Sequence, residues 1–172
     1  MAKITYCDLD SPLGEMIAGT SEAGLCFLEW QDRGGVERIL QRVGKRYRLP
    51  LQPGRHPHLQ RLTDELAAYF QRRLQVFTVP IAVTGTAFER RTWDRLLEIP
   101  YGETRSYGQL AAELDKPGAS RAVGRANGAN YLAIVIPCHR VIETGGGLGG
   151  YGGKLWRKKR LLELESGIDN LV

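Results

Sequence analysis

The sequence predicts two domains of different class. A small α/β domain, an antiparallel sheet with helices, is expected over residues 1–84, and a mainly α-helical domain with a helix-turn-helix over residues 85–172. Three observations predict this. The first third consists of short β-branched and aromatic runs separated by turn residues. Two amphipathic helical patterns follow, joined by a proline-rich loop. From VTGTAF onward the pattern is helical, apart from one apolar run that ends in Pro-Cys-His-Arg. With 42% hydrophobic and 25% charged residues over 172 positions, the chain can bury real cores and is not of disordered composition.

Taken in order, ITYCDL, GEMIAGT and GLCFLEW read as strands of a meander, punctuated by SPLG and SEAG. Gly35 to Arg48 places Val36, Ile39, Leu40 and Val43 at helical spacing, and Leu59 to Leu74 stripes Leu62, Leu66, Ala67 and Phe70. RLPLQPGRHPH between them is a loop. Thr86, with Glu89 three residues on, predicts the capped start of a helix carrying Phe88, Trp93, Leu96 and Leu97. IPYGE ends that helix. Ser106 starts a short one, Lys116-Pro117-Gly118 interrupts it, and Ser120 is expected to cap the next, RAVGRANG. Two short helices across a Pro-Gly turn read as a helix-turn-helix. Tyr131 to Ile136 is expected to be a buried strand, and LWRKKRLLELE a final helix with Leu161, Leu162 and Leu164 inward and Glu165 exposed.

Several function classes are set aside by composition. No apolar run approaches the roughly 20 residues that span a bilayer. MAKITYCDLD lacks the apolar stretch of a secretory signal, and the odd set Cys7, Cys26 and Cys138 does not form a disulfide framework, so a reducing cytoplasm is expected. Cys7, Cys26, His56 and His58 have no recognisable ligand spacing, and no metal is expected. The net charge of +5 is unevenly placed: from Lys116 to Arg160 nine basic residues face Glu143 alone. Such asymmetry suits a surface that meets a polyanion.

The chemistry concentrates at Pro137-Cys138-His139-Arg140. A lone cysteine after an apolar run is ordinarily an inert core residue. Here Pro137 imposes a bend, and His139 and Arg140 set cationic or potentially cationic groups beside the sulfur, which favours the nucleophilic thiolate. In an extended chain adjacent side chains diverge, so a water relay between Cys138 and His139 is expected rather than direct contact. Glycines 145, 146, 147, 149, 150, 152 and 153 crowd the next loop; GxGxxG is formally present, but no βαβ unit can follow it. A backbone that approaches a flat ligand closely, with Tyr151 to stack on it, fits better.

These segments resemble the O6-alkylguanine-DNA alkyltransferases (methylated-DNA–protein-cysteine methyltransferases). IVIPCHRVI is similar to that family's active-site signature, and the likeness runs through TAFERRTWDRLLEIPYGETRSYGQLA, ASRAVGRANGAN, GGYGG and RKKRLLELESG. The N-terminal half agrees loosely. The resemblance implies a ribonuclease-H-like first domain and a winged-helix-like second one. It also implies a monomeric DNA-repair enzyme, without cofactor, that moves an alkyl group from O6 of guanine, with O4 of thymine as a second candidate, in double-stranded DNA to its own cysteine, once. By the same likeness Cys138 would be the acceptor, His139 the base acting through water and Glu165 its orienting acid. Asn130 would be the hinge, and Tyr107 would assist the departing guanine. Arg121 would enter the base stack, with Ser120, Ala122 and Gly124 also on the DNA-facing helix. Pro137, Arg140, Val141, Tyr151 and Gly152 would line the base pocket. The chain departs from the family at Tyr131, usually Pro, and at Gly152, Ser in some relatives. The alternatives are a non-catalytic lesion-binding or helix-turn-helix DNA-binding protein, which leaves Cys138 without a role, and a thiol hydrolase, which would turn over repeatedly.

Overall fold

The computed structural model describes residues 2–167, and the chain divides into two compact units, Met1–Thr84 and Gly85–Val172. In the first, β1 (Ile4–Leu9), β2 (Met16–Thr20), β3 (Leu25–Trp30) and β4 (Leu51–Pro53) form one sheet in the order β3-β2-β1-β4. The first three make the antiparallel meander, with Cys7 opposite Ala18 and Met16 opposite Trp30. β4 instead pairs parallel with β1, so the sheet is mixed and not the purely antiparallel one expected. Helix α1 (Val36–Tyr47) is the reason: a helical crossover lets a strand return in the parallel sense, which a hairpin cannot do.

Every residue of β2 and β3 is buried. Helix α2 (Pro57–Phe70) packs on β1 and β2 and contributes Leu59, Leu62, Leu66, Tyr69 and Phe70 to this core. Packing across the meander is close at Gly19, where any Cβ would run into the Phe27 ring. Beyond α2 the chain lies along the other side of β3, Leu25 donating to the Pro80 carbonyl and Ala82 to that of Leu25, both at 2.8 Å. Glu65 anchors this stretch by accepting from the Thr78 and Val79 amides at 3.0 Å.

The second unit is helical. Helix α3 (Ala87–Leu97) opens with a reciprocal cap: Glu89 N–H donates to Thr86 Oγ1 at 3.1 Å and Thr86 N–H to Glu89 Oε1 at 2.9 Å. Ser106 and Gln109 repeat the device at α4 (Tyr107–Glu113). A turn with Asp115 and Gly118 at φ 58° and 84° leads to α5 (Ser120–Gly128), which packs against α4. Its N-cap is Ala119, with no side-chain cap; Ser120, expected as the cap, is the first helical residue. Trp93 of α3 donates its indole N–H to the Ala126 carbonyl at 2.8 Å, joining α3 to α5.

The apolar run Tyr131 to Ile136 is not a strand. It doubles back on itself, with Ile134 at φ 68° and Ile136 N–H donating to the Leu132 carbonyl at 3.0 Å. Hydrogen bonds within the turn take up part of its backbone, including Val135 N–H to the Ala133 carbonyl at 2.7 Å. Burial of Leu132 through Ile136 agrees with the apolar character of the run. A 3-10 turn, Cys138–Arg140, follows and leads into β6 (Val141–Ile142), which pairs parallel with β5 (Arg105–Ser106). Helix α6 (Leu155–Glu165) buries Leu161 and Leu164, while Leu162 is only half-buried. Among the described residues no helix is long and apolar enough to cross a membrane.

Thr86→Ala removes one half of the α3 cap and is expected to lower the stability of this unit by about 1 kcal/mol. Urea unfolding followed by circular dichroism checks this; an unchanged midpoint would show that the cap contributes nothing.

Candidate functional site

Asn130 sets the approach to Cys138. Its side chain is buried, donates from Nδ2 to the Ile136 carbonyl at 3.0 Å and accepts from the Leu132 amide at 2.9 Å, so one amide closes both ends of the apolar turn. Pro137 follows at φ −80° and the chain tightens into the 3-10 turn. Successive side chains there are separated by about a third of a turn, not by the half-turn of an extended chain. Cys138 retains 6% of its surface exposed. Asn127, from α5, donates to its carbonyl at 3.3 Å.

Behind the cysteine lies a buried ionic cluster. His139 Nε2 and Glu165 Oε2 are 2.7 Å apart. Arg140 donates from Nε to Glu165 Oε1 at 2.8 Å, from Nη2 to Oε2 at 3.0 Å and from Nη1 to the Ile99 carbonyl at 2.7 Å. Burial by itself would raise the Glu165 carboxyl, but the charge and hydrogen bonds of His139 and Arg140 outweigh it and hold the group well below the usual carboxylate range. An ionised carboxylate only accepts, so His139 Nε2 carries the proton. In the neutral ring Nδ1 then keeps its lone pair, and this buried atom has no hydrogen-bond partner among the described residues.

Glu165, read from the sequence as exposed, is therefore buried, because Arg140 pairs with its charge and His139 hydrogen-bonds it. Arg140 itself is turned into the cluster: three of its nitrogens are engaged with Glu165 and Ile99, and its guanidinium lies 5.8 Å from the Tyr101 ring. This puts its charged end on the supporting framework, where the resemblance implied a base-pocket wall.

On the other side stand Tyr107, the first residue of α4, and the glycine loop. Burial, followed by the negative charges of Cys138 and Glu143, pushes the Tyr107 phenol up, so it stays protonated at neutral pH. Gly124 of α5 lies close beneath, since a Cβ there would sit 3.9 Å from Tyr107 Cε1. The glycine loop is folded by Glu143 N–H donating to the Gly147 carbonyl at 2.8 Å. Gly149, at φ 73°, has to be glycine twice over: its backbone is left-handed, and a Cβ would meet Tyr107 at 3.1 Å. Val141 is fully buried, Tyr151 half-buried and Gly152 exposed.

Ser120, Arg121, Ala122 and Gly124 lie on α5, with Arg121 exposed and the small residues half-buried. The cluster thus joins Cys138, His139, Arg140, Glu165 and, through the turn, Asn130, with Tyr107 alongside; Arg121 and Ser120 stand apart from it. Two polar residues escaped the sequence reading. Asn127 is one, for which RAVGRANG offers no signal beyond a helical asparagine. The other is Lys158, inside RKKR: it is fully buried and donates to the Val141 carbonyl at 2.5 Å and the Gly150 carbonyl at 3.1 Å. Among the described residues no group of three or more His, Cys, Asp or Glu could hold a metal ion.

Residues 3–83 match the 6-O-methylguanine DNA methyltransferase ribonuclease-like domain, and residues 87–167 match the DNA binding domain of the same name. The chain belongs to this family. The Mycobacterium leprae methylated-DNA–protein-cysteine methyltransferase is 45% identical over 160 residues, 91% of this chain and 89% of that protein. The Mycobacterium bovis protein of the same name is 57% identical over 102 residues, a match that spans 62% of its length and 59% of this chain. Among solved structures, Mycobacterium tuberculosis OGT in complex with DNA superposes with a TM-score of 0.81 at 41% identity, covering 95% of this chain and 94% of that one. The family resemblance drawn from the PCHR segment and the two-domain architecture both hold at this level.

Glu165→Gln strands a buried guanidinium and is expected to cost about 3–5 kcal/mol near neutral pH. The folded carboxyl lies below its unfolded value of about 4.3, so this stability is complete above that value and is lost as pH falls through the folded one. Urea unfolding of both proteins from about pH 7 to about pH 3 should show the gap closing on the acid side. A gap independent of pH would mean that the carboxylate charge is not what stabilises the turn.

Proposed function

We propose that this protein repairs double-stranded DNA by transferring an alkyl group from O6 of guanine to Cys138, once per molecule. The observation that carries this reading is the buried chain of Glu165, His139 and the adjoining Cys138 in a member of the 6-O-methylguanine DNA methyltransferase family. Glu165 holds the proton on His139 Nε2, and Nδ1 accepts the thiol proton through a water molecule. The thiolate then attacks the alkyl carbon: the S–C bond forms, the C–O6 bond breaks, and its electron pair passes to the purine. Tyr107, protonated at neutral pH, assists the proton transfer that neutralises the departing guanine. The thioether is stable and nothing in the chemistry regenerates the thiol, so the event is stoichiometric and calls for no cofactor.

A base inside a duplex hides its alkyl carbon, and extrusion costs roughly a few kcal/mol. Helix α5 suits an approach from the minor groove, with Ser120, Ala122 and Gly124 allowing close contact and Arg121 free to enter the stack. Asn130 is the hinge between that helix and the acceptor turn. Val141, Tyr151, Gly152 and the backbone at Pro137 form the pocket for the swung-out base. We propose further that the protein acts as a monomer in the cytoplasm, where thiols stay reduced. A non-catalytic DNA-binding role leaves the polarised His139 and the acceptor thiol unexplained.

An oligonucleotide duplex carrying O6-methylguanine should add one methylene mass per protein, at Cys138, by intact and peptide mass spectrometry. Repeated turnover, or a label on Cys7 or Cys26, would refute this. Cys138→Ser should keep DNA affinity and lose transfer. Arg121→Ala should slow repair of duplex more than of single-stranded substrate, and equal rates would remove its stacking role. Raising salt should weaken binding through counterion release.

A further inference from the structure

The first turn of α6 carries a surface that alkyl transfer leaves unused. Of the three tryptophans, Trp30 and Trp93 are buried, whereas Trp156 keeps 48% of its surface exposed and its neighbour Leu155 keeps 49%. The indole does not hang loose. The guanidinium of Arg157, a buried side chain, lies over the ring at 4.7 Å from its centroid and donates from Nη1 to the Gly153 carbonyl at 3.2 Å. Trp156 is thus fixed to the end of the glycine loop, next to Tyr151 and Gly152.

Cations surround this ring. Lys159 and Arg160 follow Trp156 by three and four residues, the spacing that shares one helix face, and both are exposed. Lys154, the N-cap, is exposed as well. Its backbone, at φ 80° and ψ 141°, has a shape that glycine takes freely and lysine only under strain. Strain of this kind marks positions whose side chain is put to use. From Lys154 to Arg160 the sequence contains no acid.

We propose that this turn is a second DNA contact, apart from α5, in which Trp156 stacks on an unpaired base while Lys154, Lys159 and Arg160 meet the phosphates beside it. The inference rests on the alkyl-transfer reading for its ligand, but it concerns single-stranded DNA. A flat ring backed by a guanidinium and open to water, with cations around it, is what sequence-tolerant stacking requires. Leu155 widens the apolar platform. A second copy of the chain is a poorer occupant, because a two-fold contact would set the same cations against one another. An acidic protein segment would answer the charge but offers no flat partner for the indole.

The test uses the full chain and labelled oligo(dT), which does not pair with itself, followed by anisotropy and tryptophan emission. Since the other two indoles are buried, binding should quench a component of the emission that Trp156→Phe lacks. Trp156→Leu, which keeps apolar bulk without a ring, should weaken oligo(dT) binding about tenfold, and Trp156→Phe much less. Lys154→Gly should raise the unfolding midpoint by relieving the backbone, yet lower the log–log salt slope of oligo(dT) binding by about 0.7, and Lys159→Gln should lower it equally. Below saturation, Trp156→Leu should slow methyl transfer from a single-stranded O6-methylguanine oligonucleotide and leave transfer from duplex at the wild-type rate, the reverse of Arg121→Ala. Wild-type oligo(dT) affinity in Trp156→Leu overturns the proposal, as does an equal loss on duplex and single strand. Polyglutamate binding as tight as that of oligo(dT), or a dimer in sedimentation that Trp156→Leu dissolves, also overturns it by assigning the surface to a protein. A wild type that accepts no methyl would refute the repair reading, while the oligo(dT) titration would still decide the role of Trp156.

Discussion

The site depends on one carboxylate. Glu165, in the last turn of α6, receives His139 on one oxygen and the Arg140 fork across both, and Arg140 extends the link to the Ile99 carbonyl just beyond α3. Three segments separated in sequence are thereby held at hydrogen-bond distance in a dry environment. Such a cluster is costly to assemble from water, and it persists because each charge meets its complement and the guanidinium geometry matches the carboxylate. Removing Glu165 takes the acceptor from both His139 and Arg140, so fixing the turn and fixing the histidine tautomer are one structural task.

Around this cluster the backbone is handled with equal economy. Asn130 hydrogen-bonds both ends of the apolar run and folds the run over its own side chain. Asn127 donates to the carbonyl of Cys138 itself. Cys138 therefore sits in a segment held by these two side chains and by its own tight turns. This leaves the sulfur at a bend, next to Tyr107 and Lys158, instead of on the face of a strand.

The other two thiols show what the environment of Cys138 changes. Cys7 lies in β1 and Cys26 in β3, and burial pushes both thiols up, with Asp8 adding to the effect at Cys7. Cys26 donates to the Gly24 carbonyl at 3.7 Å. Both behave as small apolar side chains of the sheet, in keeping with a first unit whose polar groups serve its own architecture, as Glu65 does for Thr78 and Val79.

Features encoded within three or four residues were readable directly. The Thr86–Glu89 and Ser106–Gln109 caps, the helical stripes, the meander turns and the suspicion attached to Cys138 each depend on near neighbours, whose geometry the chain imposes on itself. Whether the run after Asn130 paired or doubled back, whether Glu165 faced water or Arg140, and which lysine of RKKR turned inward were settled by residues far away along the chain. Those outcomes depend on packing, because burying a charge or a bare peptide group is tolerable only when a distant partner arrives to complete it, and no local pattern records that arrival.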